Sequence, residues 1–327
     1  MSGGNARDPR PSYLTLLETG ELPLRVNALY ELLRSCSLCP SACAVDRRAE
    51  LGRCATTDLP VVASWGPHHG EEPPISGTRG SGTVFLANCN LRCVFCQNAD
   101  ISQRPRDFIG HASSLDELAE VMLGLQADGC HNVNWVSPTH QAPQLVGALA
   151  IAAARGLRVP IVYNTNAYDS VAVLRLLDGI VDVYMPDLKY SDDDHGRLCS
   201  RAPDYPAVAR AAIAEMFRQV GDGWDLDGEG ALRRGLLVRL LILPRRLAGI
   251  EESLRWLAEA LSPAVTVSLM CQYRPHHFAA RPGRYPELAR TITPSEYAEA
   301  AMALSRWNRS QHTLVQPYLG RRRADED

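Results

Sequence analysis

Long apolar runs are missing from this 327-residue chain. The best, Leu145 to Ala154, is short and alanine-rich, far from the ~20 residues of a membrane helix. No membrane span is expected. The start, Met1 to Ser12, contains Gly, Pro and Arg but no apolar core, so it does not read as a secretory signal. The expected location is cytoplasmic. An excess of one charge sign is missing as well. Lys and Arg number 34 against 37 Asp and Glu, a formal charge of −3. Non-specific electrostatic binding to nucleic acid is therefore not expected of the whole chain. The one concentrated basic run, Arg321-Arg322-Arg323, is followed by Asp325-Glu326-Asp327 and reads as a solvated tail. Repeats and low-complexity segments are also absent. Hydrophobic residues make up 46%, which excludes wholesale disorder.

Cysteine is present in an unusual pattern. Ten residues fall into a first cluster of Cys36, Cys39, Cys43 and Cys54, a second of Cys89, Cys93 and Cys96, and scattered Cys130, Cys199 and Cys271. A disulfide framework is not expected in a leaderless chain. Clustered thiols in a reducing compartment point to metal.

Three regions are expected: 1–80, an N-terminal helix with a Cys-rich metal-binding extension; 81–312, the main domain; 313–327, a tail. Val26, Leu29, Tyr30, Leu32 and Leu33 mark a short amphipathic helix. Residues 36–80 are rich in Cys, Gly and Pro and read as loops, organised by a metal or packed on a neighbour.

From residue 82 strands and helices alternate. Expected strands are Thr83–Ala87, Val133–Val136, Ile161–Tyr163, Ile180–Met185, Leu236–Leu243 and Val265–Met270. Ser114 and Glu117 form a capping-box signature, as does the final helix start at Thr293-Pro294-Ser295-Glu296. Helices are expected over 142–155, stopped by Gly156, from a cap at Asp169 through Leu177, near 206–219, and over about 250–261. Six βα units imply a parallel sheet with helices outside, two units short of a closed barrel. The fold expected is α/β, a partial (β/α)6 TIM-like barrel with an N-terminal Cys-rich extension. A doubly wound open sheet is the alternative. In both, functional residues belong at strand C-terminal ends.

The string Asn88-Cys89-Asn90-Leu91-Arg92-Cys93-Val94-Phe95-Cys96-Gln97-Asn98 has the spacing C-x3-C-x2-C. Three thiolates on one loop can ligate three corners of a cubane, which usually takes four. One iron is then left open to a substrate or cofactor. Structural or zinc-binding cysteines are the other reading. The loop resembles that of the radical S-adenosylmethionine (SAM) enzymes, which carry C-x3-C-aromatic-C after the first strand of a partial barrel. Phe95 is the aromatic here.

The resemblance is closest to the pyruvate formate-lyase activating enzyme-like branch, of the PflX type, and runs from about Leu14 to Gln311. Gly70-Glu71-Glu72-Pro73-Pro74-Ile75-Ser76-Gly77, Asn164-Thr165-Asn166-Ala167-Tyr168, Met185-Pro186-Asp187-Leu188-Lys189-Tyr190 and Ser268-Leu269-Met270-Cys271-Gln272-Tyr273 carry it. It implies a 4Fe-4S cluster on Cys89, Cys93 and Cys96. Its open iron would chelate SAM and receive an electron from flavodoxin or ferredoxin. Cleavage then gives methionine and a 5′-deoxyadenosyl radical that takes hydrogen from a substrate.

The family's Gly-Gly-Glu segment after the second strand is replaced here by Val136-Ser137-Pro138-Thr139-His140. The backbone at 137–139 and the Thr139 hydroxyl remain possible acceptors for the SAM ammonium. His140 reads equally as a ligand, a substrate contact or a helix-start residue. Asn164 and Thr165 resemble a SAM-contacting segment, with turn chemistry as the bland alternative. Asp187 and Lys189 share one face and suit ribose and carboxylate contacts, or a plain ion pair. Arg239, in an apolar run, needs a partner, either a SAM carboxylate or Asp187. Gln272 and Tyr273 are weaker candidates.

Cys36-x2-Cys39-x3-Cys43-x10-Cys54 provides four soft ligands for zinc or a second 4Fe-4S cluster, with His68 and His69 in reserve. Three functions follow. The first is activation of a glycyl-radical enzyme. The second is radical dehydrogenation, epimerisation or rearrangement of an amino acid or peptide. The third is a non-catalytic iron–sulfur or electron-transfer protein.

Overall fold

The computed structural model describes residues 10–108 and 111–318. The charged tail Arg321–Asp327 and the first nine residues of the N-terminal start lie outside them. The expected N-terminal helix is two helices, α1 (Tyr13–Glu18) and α2 (Glu21–Glu31). Gly20, at φ 76°, turns the chain between them. They bury Tyr13, Leu14, Leu22 and Leu29 and pack on a later helix, residues 142–154.

Residues 32–60 contain neither helix nor strand. The expectation of loops fails beyond that point. β1 (Val62–His68) pairs antiparallel with β2 (Ser81–Leu86), and α3 (Pro73–Ser76) lies between them. Extended backbone at 62–68 finds hydrogen-bond partners along the free edge of β2, which composition alone did not disclose.

After α4 (Ala99–Ser102) and α5 (Leu115–Ala127) come β3 (Val133–Val136), α6 (Ala142–Ala154), β4 (Ile161–Thr165) and α7 (Val171–Leu176). Then follow β5 (Val183–Pro186), α8 (Asp193–Ser200), α9 (Tyr205–Val220), β6 (Asp225–Leu226), β7 (Leu232–Leu241), α10 (Ile250–Trp256), β8 (Thr266–Met270), α11 (Pro294–Trp307) and β9 (Leu314–Val315). The sheet order is β1-β2-β3-β4-β5-β7-β8-β9, with β6 antiparallel beside β7. From β2 to β8 all neighbours are parallel and follow chain order. A doubly wound sheet would reverse order at a switch point; this one does not. The mixed α/β fold with its parallel sheet is consistent with a partial barrel. Among the described residues no helix is long and apolar enough to cross a membrane.

Both capping boxes form. Ser114 Oγ accepts from Glu117 N at 3.1 Å while Glu117 Oε2 accepts from Ser114 N at 2.7 Å, and Thr293 and Glu296 do the same. Gly156, at φ 107°, follows the end of α6. Two helix readings need correction, and one further helix was not expected. Asp169 does not cap α7; Ser170 stands there without a side-chain bond, because Asp169 is drawn into a buried cluster. The polar stretch after β5 is the helix α8, capped by Asp192. The helix expected to 261 is α-helical only to Trp256 and continues as a π turn to Leu261.

Strand alternation sorts side chains to two faces. Val84, Leu86, Val133, Trp135, Ile161, Tyr163, Tyr184, Leu236, Val238 and Leu240 pack in one large cluster with the helices. The opposite parity, Val162, Val183, Met185 and Leu237, packs with Ile75 of α3 in a second, smaller cluster. The β1–β2 connection thus closes the face of the sheet opposite the helices, and that is the side on which polar residues gather.

Candidate active site

The three-cysteine loop leaves the C-terminal end of β2. Asn88 makes the turn in the left-handed region, at φ 67°; its N–H donates to Ile101 O at 2.8 Å and its amide to Ala55 O. Each thiol then meets a polar neighbour. Leu91 N and Asn166 Nδ2 both lie 3.4 Å from Cys89 Sγ and donate to it. Ser200 Oγ donates to Cys93 Sγ at 3.0 Å, and Ser102 Oγ lies 3.2 Å from Cys96 Sγ. Phe95 is buried and meets Tyr273 edge to face, centroids 5.7 Å apart. The Tyr273 hydroxyl is spent on Leu288 O at 2.7 Å, and the Gln272 side chain pairs with Gln316.

Burial pushes the Cys89 thiol up to about 12, and the neighbouring Cys93 and Cys96 add to the effect. Cys93 is also raised by burial, against the pull of the Lys189 ammonium. Thiols this close and this dry ionise only beside a compensating cation. Their hydrogen-bond donors favour the thiolate once that cation is present.

Beside the loop lies a charged layer. Asp187 Oδ2 accepts from Lys189 Nζ at 2.6 Å and Asp187 Oδ1 from Arg239 Nε at 2.7 Å. Arg239 also donates to Asn164 Oδ1 at 2.7 Å and to Glu71 Oε2 at 3.2 Å, with Glu72 at 3.9 Å. Glu71 Oε1 in turn accepts from Asn134 and Asn164. Burial would raise the Asp187 carboxyl, but Arg239 and Lys189 outweigh it and hold it below the usual range. Burial wins at Glu71, whose carboxyl is raised despite Arg239. Three carboxylates face two cations, so the layer has room for one more positive charge.

Asn164, Asp187, Lys189 and Arg239 are therefore brought together. Thr165 and Thr139 go elsewhere. Thr165 has the parity of Tyr163, and both donate to the buried Asp169, at 2.6 and 3.0 Å; Thr139 Oγ1 donates to it as well, at 2.7 Å. Both threonine hydroxyls give their protons to Asp169 and are buried on the outer face. Ser137 takes φ 56° and donates its N–H to Asn164 O. His140 is buried within a 3-10 turn, Nε2 3.0 Å from Ala87 O, and burial lowers it to about 4. It supports the backbone leading into the cysteine loop. Glu71 and Asn134 were not singled out in the sequence. Asn134 carried a signal, a polar residue at inward parity between Val133 and Trp135. Glu71 lay within the Gly70–Gly77 segment that carries the resemblance, but only the β1–β2 pairing turns it inward.

Among the described residues no three His, Cys, Asp or Glu side chains converge on a point as ligands of a single ion do. The Cys89, Cys93 and Cys96 set is three soft donors on one loop, mutually close and hydrogen-bonded, beside a lysine. Those donors fit a polynuclear cluster that spreads its corners, with one corner lacking a protein ligand.

Comparison with known proteins agrees with that fit. The uncharacterized protein MJ0674 of Methanocaldococcus jannaschii is 29% identical over 295 residues, covering 88% of this chain and 79% of the relative. Residues 83–221, from β2 through α9, match the family model of the Radical SAM superfamily. A radical SAM domain, the hallmark of enzymes that use a 4Fe-4S cluster and SAM, is thus detected in this chain.

Proposed function

We propose that the protein is a radical SAM oxidoreductase of the pyruvate formate-lyase activating enzyme-like, PflX-type branch, acting on a glycyl-radical enzyme. The observation that carries the reading is the three-thiol loop at the end of the first parallel strand, facing the Glu71–Arg239–Asp187–Lys189 layer. When bound, the cluster and SAM supply reductive cleavage of the sulfonium and a radical able to take hydrogen from an unreactive C–H bond. Cys89, Cys93 and Cys96 hold the cluster. Asn166, Ser200 and Ser102 orient the sulfurs, and Lys189 offsets their charge. SAM is net positive, which suits the excess carboxylate of the layer. Asp187 and Arg239 are placed to bind its polar groups, and the β1–β2 connection limits access of water. Flavodoxin or ferredoxin is the proposed one-electron donor, and the cytoplasm the proposed location.

A second reading, an amino acid or peptide as substrate, is favoured by the same layer, since Glu71 and Arg239 match an ammonium and a carboxylate. Deuterium transfer into 5′-deoxyadenosine from a labelled glycyl-radical enzyme, or from a labelled amino acid, separates the two. The test of the shared core is C89A/C93A/C96A. Reduced wild-type protein should release 5′-deoxyadenosine, and the folded triple variant should release none. Full cleavage by the variant would falsify the assignment, and no cleavage by the wild type would favour a non-catalytic iron–sulfur protein.

A further inference from the structure

Residues 32–60 have no regular structure, yet they enclose one of the most constrained corners of the molecule. Cys36, Cys39, Cys43 and Cys54 all line a single small void, together with Arg47, Arg53, Asn90 and His140. The chain is bent to bring them there. Cys36 N donates to Val45 O at 2.9 Å and Ala44 N to Cys36 O at 3.1 Å. Ala42, Ala44 and Ala55, the residues flanking Cys43 and following Cys54, all take positive φ, at 36°, 56° and 59°. Three alanines in that region are costly, of order 1 kcal/mol or more each, and no regular structure around them compensates.

Arg47 is the second observation. It is fully buried; its guanidinium donates to three carbonyls, Thr56 O at 3.0 Å, His140 O at 2.6 Å and Thr57 O, and bonds the Cys36 thiol. Among the described residues no carboxylate pairs with it. It lies against the cysteines. A Cβ built on Gly52 would sit 3.3 Å from both Arg47 Cδ and Cys54 Sγ. A buried cation without an anion is strongly unfavourable. Four thiolates around a divalent ion or a cubane carry net negative charge, which is the missing partner.

We propose that Cys36, Cys39, Cys43 and Cys54 form a second metal centre, ligated by four thiolates with no open position, its net negative charge partly offset by Arg47. The sulfurs surround the void without three of them closing on one point. A zinc ion or a 4Fe-4S cluster takes four thiolates of this kind. The centre adjoins the cluster loop. Asn90, on the wall of the void, accepts from Asn166 Nδ2 at 2.8 Å, and Asn166 also donates to Cys89 Sγ. The proposal does not depend on the radical SAM reading.

Metal analysis of anaerobically purified, reconstituted protein tests it. The expected result is about eight irons per chain, or about four irons with one zinc; the first identifies a cluster and the second zinc. C89A/C93A/C96A should keep the second metal alone, and a retained cluster should have a spectrum unchanged by SAM. C36S/C39S/C43S/C54S should lose only that metal. If the quadruple variant does not fold, the triple variant and thiol alkylation decide. About four irons and no zinc in the wild type, no metal in the triple variant, and the four thiols freely alkylated in native holoprotein would overturn the proposal. Second metal together with undiminished SAM cleavage by the triple variant would instead sink only the functional reading.

Discussion

Arg239 joins Asp187, Asn164 and Glu71 through separate guanidinium nitrogens, and each partner comes from a different element. Its side chain is 14% exposed, so the charges on it are poorly solvated. Removing the cation leaves Asp187 and Glu71 facing each other in a dry layer. Arg239→Met is expected to lower the unfolding free energy by roughly 3–5 kcal/mol, the cost of stranding one half of a buried pair. It should also weaken SAM binding. Adding Asp187→Asn should recover part of the stability, because one stranded charge disappears. Urea unfolding of the two single variants and the double variant gives the coupling. Additive losses would show that the residues do not interact.

The elements are tied at the N-terminal end of the sheet by Asp182, just before β5. Its carboxylate accepts from Ser12 N, ahead of α1, at 2.8 Å and from Ile161 N, the first residue of β4, at 3.1 Å. Burial pushes this carboxyl up to about 6 from 3.8, against the pull of those two N–H groups. The folded chain therefore holds the proton more tightly than the unfolded one. The group's contribution is full below pH 3.8 and declines as pH rises through 6. A shift of this size corresponds to roughly 3 kcal/mol. Asp182→Asn should remove that decline. Unfolding midpoints of both proteins between pH 4 and 7 check it, and equal slopes would count against the assignment.

For the whole molecule, the open sheet leaves two edges to protect. β1 covers one. β9 covers the other by pairing with β8, where Gln316 N donates to Leu269 O at 3.0 Å and Gln316 Oε1 accepts from Cys271 N. His312 stacks on Trp224 beside it, centroids 4.9 Å apart. Ending the chain at Gln311 bares a β8 edge of buried, β-branched and aliphatic residues. Such edges invite pairing with other chains. Lower thermal stability and concentration-dependent assembly by light scattering are expected. A monodisperse truncated protein with unchanged stability would show that β9 is dispensable.

Local chemistry determined much of this protein from the sequence alone. Strand periodicity, capping boxes and the spacing of Cys89, Cys93 and Cys96 act over a few residues, so six βα units and the thiol loop could be read directly. Asn164, Asp187 and Lys189 were also legible, as polar residues at strand ends, and Arg239 as a charge in an apolar run. What depends on distant pairing was not. Glu71 enters the charged layer only because β1 joins β2. Thr139 and Thr165 turn away because Asp169, expected at a helix cap, gains more from three buried hydroxyls than from one exposed helix end. The buried solitary charge of Arg47 was invisible too, because whether a cation has a partner is decided by which segments fold against it.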